Sequence, residues 1–276
     1  MKTLSIVFAA LSLSAYAFLD THDLGEIEGP VPCLNNETYH PEDFIPASGM
    51  RIQADEIQVD AYVHVLISKA ANEPAKGSVE AKIDTLNRNF APWGYRFNLR
   101  GVTIMISPTW ASDIDVQKTE KQKALHKGRY YDLNIYMVEG AGGGVCSFPR
   151  PAGVKLTEAM LIDDGCFVPL NLPIQSATIT HEVGHWMGLA HVFEGGCASN
   201  DGCDDTYRQS GPSYAKQAIA GSMGSCPLFG ECDYTGWQNV QNFMDYSDCA
   251  SQFTPCQGGR MNGAWQNQRA GRVVSA

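Results

Sequence analysis

Eleven residues, HEVGHWMGLAH from His181 to His191, constrain this chain more than any other stretch, because they combine three imidazoles, a carboxylate and a signal for chain reversal. On an α-helix, residues four apart lie about 6 Å apart along the axis and roughly 40° apart around it. His181 and His185 therefore face one point and can both reach a single ion. Glu182 lies beside that face, poorly placed to be a ligand but near any water the ion would hold. A continuous helix would carry position 191 roughly 240° around from His185, onto the wrong face. Gly188 resolves this, because it adopts a left-handed conformation at little steric cost, ends the helix and swings Leu189 to His191 back beneath the ion.

Three histidines with one position left open are the donor set of a catalytic zinc site. In such a site zinc lowers the pKa of a water to about 7 and polarises a carbonyl, while Glu182 serves as general base. The expected chemistry is peptide hydrolysis. An amphipathic helix with Ile179, Val183 and Met187 as its buried stripe explains the apolar spacing alone. It leaves unexplained why three of the seven histidines fall inside one pattern. The extension to His191 also argues against peptidases that take a third ligand from a later glutamate, although Glu194 and Glu231 lie downstream.

HExxHxxGxxH followed by the turn NFMDYS, Asn242 to Ser247, resembles the metzincin pattern. The longer strings HEVGHWMGLAHVFEGGC and NFMDYSDCASQFTPCQ resemble the pappalysin family in its short secreted form common in fungi, over roughly Ile57 to Trp265. The resemblance implies His181, His185 and His191 as zinc ligands, Glu182 as base, Met244 beneath the metal and Tyr246 near the reacting carbonyl. It also implies a metzincin-like α/β (α+β) fold. The upper half, to about residue 191, would be a twisted sheet with two packed helices, one carrying the zinc ligands. The lower half, 192–276, would be loop-rich and disulfide-stapled, with a C-terminal helix and a substrate cleft above it. Cys256 departs from the family, which usually has glycine there.

Met1 to Ala17 reads as a secretory signal, with Lys2, an apolar run from Leu4 to Leu13 and an A-x-A cleavage site at Ala15-Tyr16-Ala17. That run is well short of the ~20 residues a spanning helix needs, and no later stretch qualifies. The mature protein is expected to be secreted, soluble and monomeric. Residues 18–54 are rich in Pro, Gly, Asp and Glu and read as a short pro-segment or loosely docked arm, with Asn36-Glu37-Thr38 as a glycosylation acceptor. Residues 55–276 are long enough for one catalytic domain. The formal net charge of −10 argues against nucleic acid and offers no basic membrane patch.

Within that domain, alternation of Ile57, Val59, Ala61, Val63, Val65 and Ile67 predicts a strand with one buried face, and places His64 on the other face as a structural residue. Ser78 then opens a helix with Val79, Ile83, Leu86 and Phe90 at helical spacing up to Pro92. Strands are expected at Tyr95 to Ser107 and Leu133 to Val138, around a helix from about Val116 to Lys127 that ends at Gly128. The run Gly140 to Gly144 lacks the Lys-Ser or Lys-Thr of a phosphate loop and reads as a flexible rim. Thr157 to Asp163 reads as a short strand. By the resemblance it is the edge to which extended substrate pairs, through Ala159 to Ile162. Thr254-Pro255 starts a last helix with Met261 and Trp265 on its apolar side.

Nine cysteines point to disulfides, six of them between Cys197 and Cys256 where regular structure is sparse. The resemblance favours Cys226 with Cys249, and Cys232 with Cys197 or Cys203. Cys146 and Cys166 bracket the candidate edge strand and can also pair. The odd total leaves Cys33 as the extra, either paired, a free thiol, or a thiolate covering the zinc of a precursor. Asp201 to Asp205, DGCDD, reads as a calcium site, as in related enzymes, or as a solvated acidic turn, and does not match an EF-hand loop. The leading expectation is a secreted zinc endopeptidase acting on proteins or peptides. A zinc-stabilised binding module and a zinc amidase for small substrates are the alternatives, and Glu182 speaks against the first, since a structural site needs no base.

Overall fold

The structure is a computed structural model that describes residues 56–213, 226, 230–232, 236–237 and 239–275. The signal segment, the arm with Asn36 and Cys33, and most of 214–238 lie outside the described residues.

Five strands, Ile57–Ile67 (β1), Tyr95–Ile106 (β2), Leu133–Val138 (β3), Val145–Cys146 (β4) and Cys166–Pro169 (β5), form one sheet in the order β2-β1-β3-β5-β4. All neighbours run parallel except β4, which lies antiparallel to β5. Crossovers between parallel strands put helices on both faces, so the central strands are buried on both sides. All six residues of β3 are buried.

The odd-numbered residues of β1, from Val59 to Ile67, join the larger core with Val79, Ile83, Leu86 and Phe90 of helix α1 (Ser78–Phe90). The opposite face carries Leu66, Tyr136, Val138 and Phe167, packed against Ile114 and Leu125. Those two residues come from the segment holding helices α2 (Pro108–Ala111) and α3 (Lys118–Leu125), and Gly128 ends that segment at φ 79°. Within the glycine run the Gly140 N–H donates to the Ala111 carbonyl at 2.8 Å, while Gly142 is exposed with open space where a side chain would stand.

Thr157 to Asp163 is not a strand. It is helix α4 (Glu158–Ile162), with the Thr157 hydroxyl accepting from the Met160 N–H as N-cap. A capping threonine followed by Glu, Ala, Met and Leu satisfies the helix start locally, and these residues have stronger helix than strand preference. The antiparallel edge is β4, further upstream, so Ala159 to Ile162 are not the residues that could pair with substrate.

Among the described residues the lower half has the strand pair Gly230–Glu231 (β6) and Gly236–Trp237 (β7), and a C-terminal helix, Pro255–Ala264, that continues as a π-turn over Trp265–Arg269. That helix opens with a capping box between Thr254 and Gln257. Disulfides join Cys146 to Cys166, Cys197 to Cys232, Cys203 to Cys256 and Cys226 to Cys249. Cys256, the position that departs from the family, is therefore accounted for by Cys203.

His64 is fully buried on β1, and its Nε2 lies 3.0 Å from Asn134 Oδ1. Asn134 Nδ2 donates to the Lys127 carbonyl, so Oδ1 faces the ring and His64 Nε2–H is the donor. Burial pushes the His64 pKa down to about 4. The native state thus refuses a proton that the unfolded chain accepts near pH 6.5. Stability is retained above that pH and falls as the pH drops toward 4, by up to about 3 kcal/mol from this group. Denaturant midpoints at pH 7 and pH 4.5 should show a smaller acid loss for His64→Gln than for the wild type; equal losses would assign the acid sensitivity to other groups.

Candidate active site

Helix α5 (Thr178–Trp186) packs on the sheet beside α1, with the Asn89 side chain donating to Thr180 Oγ1 at 2.8 Å. Ile179, Val183 and Trp186 enter the core, which turns His181 and His185 toward the lower half. Gly188 reverses the chain at φ 90°, as the Gly188 N–H reaches the His185 carbonyl at 2.8 Å and the Leu189 N–H reaches the Gly184 carbonyl at 2.9 Å. No residue with a Cβ occupies that conformation cheaply.

The reversal brings His191 to the other two histidines. His185 Nε2 lies 3.1 Å from His181 Nε2 and 3.2 Å from His191 Nε2. Two of the rings are oriented from behind: His181 Nδ1–H donates to the Phe243 carbonyl and His185 Nδ1–H to the Leu189 carbonyl, each at 2.7 Å. Carbonyls accept only, so both neutral rings carry their proton on Nδ1 and present an Nε2 lone pair. Lone pairs that close repel unless a cation lies between them. Tetrahedral zinc with bonds of 2.0–2.1 Å would space its nitrogens by about 3.3 Å, so the donor set fits the ion. Burial, then the neighbouring rings, holds His185 well below its ordinary pKa, and burial sets His181 to about 4. Burial holds His191 well below its ordinary pKa too, so all three are unprotonated at neutral pH.

Glu194 does not compete for the position. Its carboxylate is 3.8 Å from His191 Nδ1, behind the ring and away from Nε2. His64 likewise stays apart, on the sheet. Tyr246 Oη lies 3.1 Å from His191 Nε2, so its hydroxyl sits at the rim of the three nitrogens. Phe193 stacks on His191 at 4.7 Å between centroids, and Phe148 meets His185 edge-on at 5.3 Å. Glu182 is fully buried beside the histidines.

Met244 is fully buried beneath them, in a turn held by several ties. Its N–H donates to Asn242 Oδ1, its carbonyl accepts from Val192 N–H, and Asn242 exchanges side-chain hydrogen bonds with Gln257 of the C-terminal helix. The next residue, Asp245, is buried and accepts from Gln209 Nε2, the Ser213 N–H and hydroxyl, and the Tyr246 N–H. Burial pushes its carboxyl up, and these donors pull it back. Sequence patterns missed the Phe243 carbonyl and Asp245, since neither backbone acceptors nor single buried acids leave a spacing signal.

Two carboxylates of DGCDD are committed to protein donors, one in the local turn and one at the start of the C-terminal helix. Asp201 accepts from the Cys203 N–H and Thr206 hydroxyl, and Asp205 from the Cys256 N–H.

This fold and this convergence of histidines define a metzincin-like metallopeptidase. The sequence profile of the peptidase M43 family, described as pregnancy-associated plasma protein-A, matches residues 123–266. Extracellular metalloprotease 1 of Coccidioides posadasii is 38% identical over 233 residues, 78% of this chain and 79% of that protein. An extracellular metalloprotease of Colletotrichum graminicola is 37% identical over 235 residues, 79% of each. Among solved structures, Tannerella forsythia mature mirolysin in complex with a cleaved peptide aligns with a TM-score of 0.60 and 23% identity, over 77% of this chain and 93% of that one. The chain belongs to the peptidase M43 family, the pappalysins, and is a metalloendopeptidase.

Gly184 faces Met244 so closely that a Cβ there would lie 2.5 Å from its sulfur. Gly184→Ala should therefore strain the packing under the histidines and lower stability by about 1–3 kcal/mol in chemical unfolding. Met244→Ala in the same chain should remove that strain, so that Gly184→Ala costs less there than in the wild type. Equal costs in the two backgrounds would show that the glycine answers to some other neighbour.

Proposed function

We propose that the protein is a secreted zinc endopeptidase that hydrolyses peptide bonds in extracellular proteins or peptides, with His181, His185 and His191 holding one zinc ion. The observation that carries this reading is the 3.1–3.2 Å convergence of three Nε2 atoms, two with their protons committed to backbone carbonyls. A bound zinc would supply Lewis-acid polarisation of the carbonyl and lower the pKa of a water to about 7. Glu182, next in sequence to the first ligand, accepts the proton of the attacking water and returns it to the departing amine. Tyr246 donates its hydroxyl to the carbonyl oxygen as charge develops there. Exclusion of water by the buried shell strengthens both interactions.

Secretion is supported by the signal-like residues 1–17 and by relatives named as extracellular, and no helix among the described residues is long and apolar enough to cross a membrane. A purely structural zinc site would leave the placement of Tyr246 at the rim without a purpose. The His191 side chain is also 13% exposed, whereas His185 is enclosed, so the centre reaches solvent at His191. Calcium at 201–205 would have to displace the turn's own donors and forms no part of this reading.

Glu182→Gln should keep stoichiometric zinc and lose about 10²- to 10⁴-fold in turnover of a peptide substrate. His191→Ala should lose zinc while Glu194→Ala retains it, by metal analysis after dialysis. Tyr246→Phe keeps the ring and removes only the oxygen, so turnover should fall about 10²- to 10³-fold with substrate binding little changed. A zinc-loaded Glu182→Gln enzyme with near-normal turnover would end the mechanism, and a Tyr246→Phe enzyme with wild-type turnover would leave oxyanion stabilisation to the metal.

A further inference from the structure

The end of the glycine run meets the proposed base. Gly144 is buried and directly precedes the edge strand β4, and a Cβ built on it would lie 2.3 Å from Glu182 Oε1, 2.5 Å from Cδ and 2.7 Å from Cγ. Its φ lies outside the left-handed region, so the backbone alone does not demand glycine. What demands it is the carboxylate.

Neither partner can retreat without cost. The backbone of β4 is pinned by pairing of Val145 with Phe167 and Cys146 with Cys166, and the second pair is also a disulfide. Glu182 is fully enclosed. The most yielding atoms in this contact are the last three of the glutamate side chain.

We infer that Gly144 is a positioning residue for Glu182: the missing side chain lets the edge strand close on the carboxylate and fix where it stands. This rests on the reading of Glu182 as base. An alanine at 144 should leave the fold and the histidines intact and push the carboxylate out of place. Misplacing a reacting group by an ångström can cost about 10²-fold, so a loss of that order is expected in kcat.

The test uses Gly144→Ala, Gly142→Ala and Glu182→Asp in the zinc-loaded full chain. Gly142 belongs to the same loop, but a Cβ there would meet nothing within 4 Å, so Gly142→Ala should match the wild type. Gly144→Ala should still fold and keep zinc content and KM while kcat falls about 10²-fold. Glu182→Asp withdraws the carboxylate by one methylene, so adding Gly144→Ala to it should cost far less than in the wild type, the signature of two groups acting through one contact. Wild-type kcat in Gly144→Ala, loss of zinc along with activity, or effects that simply multiply in the double variant would each overturn the inference. Should Glu182→Gln retain turnover, the role of Glu182 fails instead, and that result is separable from all of these.

Discussion

One hydrogen bond joins the two halves of this molecule at its centre, the one from His181 Nδ1 to the carbonyl of Phe243. The ring belongs to the helix that the sheet positions, and the carbonyl belongs to the turn that the lower half positions. The proton on Nδ1 fixes the tautomer, the tautomer frees Nε2, and Nε2 is what a metal would bind. His185 receives the same treatment from Leu189, a carbonyl exposed by the reversal at Gly188. The orientation of these two rings is thus written in backbone acceptors, which explains why the turn beneath them is tied so heavily to its surroundings.

The far end of the same helix is held by a buried ion pair. Arg269 grips Asp164 with two parallel hydrogen bonds of 3.0 and 3.1 Å, and its Nε donates to the carbonyl of Trp186 at 2.7 Å. Trp186 completes the circuit, donating from its indole to Asp164 at 2.8 Å while the guanidinium lies 3.7 Å over its ring. A cation at a helix C-terminus is favoured by the exposed carbonyls there, and a bidentate pair fixes direction as well as distance. The cost of desolvating the pair makes it a weak source of stability, but it fastens the last residues of the chain to the helix that carries the histidines.

What was legible in the sequence was whatever repeats at a fixed short spacing. His181, His185, Gly188 and His191 are separated by one turn or one reversal, so their convergence follows from helix geometry and the freedom of a single glycine. Strands β1, β2 and β3 were legible for the same reason, since long alternating or apolar runs leave few readings. Thr157 to Asp163 was read as a strand because a short apolar run does not distinguish the two states, and the cap at Thr157 decided it. The edge strand β4 has two residues, too few for any pattern. Cys203 and Cys256 lie 53 positions apart, and the distance between them depends on loops that carry no periodicity.

Those loops explain where the crosslinks fall. A half built from turns buries little apolar surface per residue, so restricting its unfolded ensemble contributes more than another side-chain contact would. The links also converge on the site. Cys256, bonded to Cys203, precedes Gln257, whose side chain both caps the C-terminal helix and exchanges hydrogen bonds with Asn242. Asn242 in turn accepts from the N–H of Met244. Counting the disulfide itself, four consecutive steps therefore run from Cys203 to the residue under the histidines, each a covalent bond or a hydrogen bond with a fixed partner. Rigidity that the upper half obtains from a packed sheet is obtained here from connectivity, and the two meet at the carbonyl of Phe243.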